Sequence, residues 1–89
     1  MSKSAREMFE EEDFKQTKNG TYKLEYQYIT PRGIYATILF RKNKRKVYYN
    51  GREININTLN INGKLDKIIY QQCKELGWLD EWKYDKFFK

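Results

Sequence analysis

Turn signals recur through the middle of this chain, and that punctuation constrains the fold more than any other feature. Asn19-Gly20, Pro31-Arg32-Gly33, Asn43-Lys44 and Asn50-Gly51 cut residues 14–61 into short lengths. Asn-Gly pairs mark tight hairpins because both residues tolerate positive φ, and Pro with a nearby Gly presets a turn. Between the cuts, Tyr22, Leu24, Tyr26 and Tyr28 alternate with Lys23, Glu25 and Gln27. That period of two belongs to a half-buried strand. Residues 34–41 are apolar at almost every position and read as a central strand, while 46–49 and 52–57 return beside it. The expectation is an antiparallel meander of three to five strands. Strict alternation then sends Ile34, Ala36, Ile38 and Phe40 to one face and Tyr35, Thr37, Leu39 and Arg41 to the other. Ile54 and Ile56 share one parity and Leu59 and Ile61 the other, so the last strand must break near Thr58.

Helices bracket the sheet. Ser4 followed by Glu7 is a capping-box pair, and Ala5, Met8 and Phe9 recur at helical spacing behind it. The apolar stripe stops at Glu12-Asp13, which ends the first helix. Farther on, Leu65, Ile68, Ile69, Cys73 and Leu76 share one helical face, with Asn62 as the expected cap. Gly77 stands where a left-handed residue closes such a helix, and Trp78 is expected to fold back onto it. The expected fold is therefore α+β, one domain of 89 residues. It divides into a helix over 1–13, a sheet over 14–61, a helix over 62–77 and an aromatic tail over 78–89. The tail, rich in Trp and Phe, is too aromatic for a disordered linker and must dock on its own domain or on a partner.

The chain has eight tyrosines and no histidine. Histidine is the usual proton-transfer group near neutral pH, whereas tyrosine suits cores and contact surfaces. Neither a Gly-rich phosphate loop nor a metal-ligand spacing occurs, and the carboxylates at 10–13 point around a helix. The reading is a non-enzymatic binding protein without cofactor or metal. Cys73, the lone cysteine, fits a reducing compartment and, lying on the apolar stripe, a core position. With an acidic start and no long apolar run, the expected location is cytoplasmic and off the membrane.

The formal charge of +6 is uneven. Residues 1–14 carry two basic and five acidic groups, 15–57 carry ten and two, and 58–89 carry six and five. Within the middle block, Arg41, Lys42, Lys44, Arg45 and Lys46 crowd one turn. Such a tip can reach a phosphate backbone, or it can merely guard strand edges against aggregation. Alternation places Tyr35 and Tyr48 on the face that carries Arg41 and Lys46, a composition able to stack unpaired bases. In the tail, Trp82, Phe87 and Phe88 are either core or an exposed patch that would serve a protein partner or a homodimer.

Helix, antiparallel strands, helix is also the order of double-stranded RNA-binding domains. Their basic cluster at the start of the last helix is represented here only by Lys64 and Lys67 around Asp66. Ala5-Arg6-Glu7-Met8-Phe9-Glu10-Glu11 and Gln72-Cys73-Lys74-Glu75-Leu76-Gly77-Trp78-Leu79 resemble a loose set of small accessory proteins of phages and prophages of Gram-positive bacteria. The resemblance implies a protein that binds or inhibits a host macromolecule, with counter-defence as one such role. A host protein or complex is the leading partner, and nucleic acid bound through the basic hairpin and aromatic face is the alternative.

Overall fold

A computed structural model describes residues 3–60 and 62–78. The turn signals resolve into five strands paired in chain order, each antiparallel to the next. They are β1 (Phe14–Asn19), β2 (Lys23–Thr30), β3 (Gly33–Arg41), β4 (Lys46–Tyr49) and β5 (Arg52–Ile54). Before them stands α1 (Ala5–Glu11), and after them α2 (Lys64–Glu75). The domain is α+β, as the periodicity requires.

Local chemistry accounts for the ends of each element. Ser4 Oγ accepts from the Glu7 backbone N–H, and the Glu7 carboxylate accepts from the Ser4 N–H, completing the capping box. Asp13, at φ 67°, makes the left-handed step from α1 into β1. Asn50 and Gly51 both sit at positive φ, 50° and 84°, the mirror-image turn that matches strand twist. Asn19-Gly20 behaves otherwise. Neither residue is left-handed, and the loop is closed by the Gly20 N–H donating to the Lys23 carbonyl. After β5 the chain leaves the sheet in a 3-10 turn, Ile56–Thr58, which absorbs the change of parity expected there.

The start of α2 differs from expectation. Its cap is Gly63, which makes no side-chain hydrogen bond, and Asn62 lies one residue too early. Asp66 instead accepts from the Asn60 N–H, bracing the turn from inside the helix. At the other end Gly77 adopts φ 75°, and the Trp78 N–H donates to the Cys73 carbonyl. Trp78 is buried with its ring 6.2 Å from Phe40.

Both helices pack on one face of the sheet. Phe9 is fully buried and stacks on Tyr26 at 4.1 Å between ring centroids. Leu24, Ala36, Ile38, Phe40 and Val47 meet Ile68, Ile69 and Cys73 beneath it. Burying one such side chain is worth about 1.5–3 kcal/mol, so this layer carries the fold. Two contacts set the helices antiparallel: Glu75 accepts from the Ala5 N–H at 2.7 Å, and Lys64 pairs with Glu12 at 3.5 Å. Inside the layer the Tyr26 hydroxyl donates to the Gln72 side-chain carbonyl at 2.7 Å. Gln72 is a polar residue among apolar ones and escaped the periodicity argument; its partner explains its burial.

One strand departs from simple alternation. The β2–β3 register runs Tyr28 to Ala36 and then Ile29 to Ile34, leaving Tyr35 as the extra residue of a bulge. Past that point the parity expected for β3 is reversed. Among the described residues no helix is long and apolar enough to cross a membrane.

Candidate functional site

The β3–β4 turn sits at one end of the sheet, as the residue pattern implied, but its cations are not equivalent. Lys42 turns inward: its Nζ donates to Asn19 Oδ1 at 3.0 Å and to the Gly20 carbonyl at 2.8 Å. Lys46 pairs across the sheet with Glu53 at 3.3 Å. Arg41 is half-buried, and its Nε is shielded from solvent without a hydrogen-bond partner. Lys44 and Arg45 are exposed and form no ion pair among the described residues, with Arg45 at φ 52°.

This turn does not stand alone. The Lys42 N–H donates to the Tyr22 carbonyl at 2.8 Å, and Lys23 pairs with Arg41 in register. Two hairpin tips are thereby locked side by side, and Lys18 and Lys23 of the first join the cations of the second. Seven cations gather at this end against the carboxylates of Glu25 and Glu53. Between them Tyr22 is 62% exposed.

The aromatic face expected beside this turn is only partly assembled. Arg41 and Lys46 are partners in the β3–β4 ladder, and Tyr48 lies across from Leu39 on the same outer face. A shallow depression lined by Glu25, Thr37, Leu39, Arg41 and Tyr48 marks it. Tyr35 is not there. The bulge turns its ring to the helix side, 5.4 Å from Tyr28, where it lines a recess with Phe14, Tyr49 and Leu65. Ile34, expected in the core, is correspondingly displaced and is 60% exposed. Trp82, Phe87 and Phe88 lie outside the described residues.

A second surface, which sequence reasoning missed, occupies the opposite end. Ile29 and Ile34 are cross-strand partners, 56% and 60% exposed, while Tyr35, next in the chain but turned to the helix side, is 71% exposed. They flank the tight Pro31-Arg32 turn, whose Thr30 hydroxyl accepts from the Arg32 N–H and donates to the Gly33 carbonyl. An open groove of about 650 Å³ runs from this patch to α1, lined by Arg6, Glu10, Asp13, Lys15, Ile29 and Pro31. Here charges of both signs are interleaved, in contrast to the basic end.

Two buried titratable groups, Cys73 and Tyr26, are held neutral. Burial pushes the Cys73 thiol up to about 12, far from a reactive thiolate. The Tyr26 hydroxyl is likewise raised to about 12, first by burial and then by the nearby Glu75 carboxylate. Compared with known protein families, curated proteins and solved structures, the chain gives no match.

Proposed function

We propose that this chain is a non-enzymatic binding protein, an accessory protein of phage type that acts by occupying a host protein. The observation that carries this reading is the exposed cross-strand pair Ile29 and Ile34 on the β2–β3 hairpin. In a chain that is 34% charged, two exposed isoleucines paired on a braced hairpin cost solubility. Such patches mark contact surfaces on proteins. The pairing also fixes their geometry before any partner arrives, which lowers the entropy lost on association. The adjoining groove supplies the polar rim that encloses apolar hot spots at protein interfaces. The phage-type assignment itself rests on the resemblance of residues 5–11 and 72–79.

The test is capture from a lysate of a Gram-positive host, comparing wild type with an Ile29→Asp/Ile34→Asp double variant and with Lys44→Glu/Arg45→Glu. The expected result is one protein partner retained by wild type and by the basic-turn variant, and lost with the hairpin variant. Retention by all three would refute this surface as the contact.

A further inference from the structure

We infer that the basic end of the sheet is a second binding site, distinct from the apolar hairpin, and that its ligand is single-stranded nucleic acid. The site is composite. A single basic turn is weak ground, because lysines at hairpin tips often serve only to discourage edge pairing. Here the two tips are locked together by the Lys42 N–H to Tyr22 carbonyl bond and by Lys42 Nζ on Asn19 and Gly20. One lysine is used as a strut, and it brings the cations of the two tips to the same end of the sheet. Lys18, Lys23, Lys44 and Arg45 make no ion pair among the described residues, so their charge is available to a ligand.

The chemistry selects a polyanion with flat bases. Lysine and arginine spread across two turns track a charged backbone rather than enclose a single anion, and each phosphate neutralised releases counterions. Tyr22 stands exposed among them, as an aromatic platform does in proteins that stack unpaired bases. Tyr48, half-buried on the adjoining outer face with Arg41, offers a second ring on the same path. A duplex would leave Tyr22 without a base to stack on.

Fluorescence anisotropy of the full chain with a labelled oligo-dT of about 20 nucleotides, across a salt series, tests this. Binding at low salt should weaken steeply as salt rises. Lys44→Glu/Arg45→Glu and Lys18→Glu/Lys23→Glu should each weaken it by about tenfold or more, with the salt slope reduced by about 1.4 for two lost contacts. The Gln versions of both pairs should show the same direction with smaller effect, and circular dichroism should confirm that every variant is folded. Tyr22→Ala should weaken oligo-dT binding severalfold.

Absence of oligo-dT binding at low salt would overturn the proposal. So would an unchanged affinity in Lys18→Glu/Lys23→Glu, since the site would then not be composite. Equal or tighter binding of a duplex, with no effect of Tyr22→Ala, would reassign the site to duplex backbone. Equal competition by polyglutamate, charge for charge, would reassign it to an acidic protein. Ile29→Ser/Ile34→Ser, which adds no charge, should leave oligo-dT affinity unchanged, which separates this site from the protein-binding surface.

Discussion

Tyr26 and Gln72 show how a single buried pair couples the two layers of the domain. Their hydrogen bond, 2.7 Å long, is sealed beneath Phe9. Tyr26→Phe removes the donor and leaves the Gln72 amide buried and unsatisfied, so it should cost about 1–3 kcal/mol. A urea midpoint lowered without a change in slope would confirm this. The same buried groups set the response to alkali. The folded state raises Cys73 from 9.0 to about 12 and Tyr26 from 10.0 to about 12. With the folded values above the unfolded ones, the unfolded chain releases protons first as pH rises. Stability from these groups is therefore complete below about pH 9 and is lost progressively between there and about pH 12. Denaturant midpoints measured from pH 7 to 11 should be flat at first and then fall. In Cys73→Ala/Tyr26→Phe that fall should be much reduced.

At the scale of elements, the strands were legible in the residues because each turn is written in residues of special backbone tolerance. The capping box and the closing glycine of α2 were readable for the same reason, whereas the last strand ends at Ile54, three residues before the expected Asn57. What could not be read was the bulge. Ile34, Tyr35 and Ala36 are all apolar, so nothing in their order marks a residue that steps out of the ladder, and one step reverses the face of those on the turn side. That is why Tyr35 was expected on the outer face and Ile34 in the core, and why the apolar patch went unseen. The two Asn-Gly pairs were also indistinguishable by sequence, yet only the second is left-handed. Gly51→Ala places a Cβ at φ 84° and should cost about 1–2 kcal/mol. Gly20→Ala meets only an ordinary contact with the Lys23 carbonyl at 4.0 Å and should stay within about 0.5 kcal/mol of wild type. Thermal unfolding of the two variants side by side makes the comparison, and equal losses would refute the distinction.

Taken as a whole molecule, the domain separates what holds it together from what it presents. The core lies between the helices and one face of the sheet, while the apolar hairpin and the basic tips lie at opposite ends of the strands. The clustering at the basic end depends on strand pairing over a long sequence distance, such as Lys23 with Arg41, which no local pattern announces. This layout predicts independence. Ile29, Ile34, Lys44 and Arg45 are all exposed, so charge substitutions there touch little of the packing. The Ile29–Ile34 pair contributes a cross-strand contact worth about 0.2–1 kcal/mol, and surface lysines contribute less. A quadruple variant, Ile29→Asp/Ile34→Asp/Lys44→Glu/Arg45→Glu, should therefore remain folded, with its loss of stability close to the sum of the two double variants. Phe9→Ala, by contrast, removes a ring at the centre of the aromatic stack and should cost about 3–5 kcal/mol, comparable to the whole stability of a small domain. Calorimetry of the three surface variants beside Phe9→Ala checks both halves. A quadruple variant as damaged as Phe9→Ala would mean that the two ends are part of the core and that neither is free to serve as a contact surface.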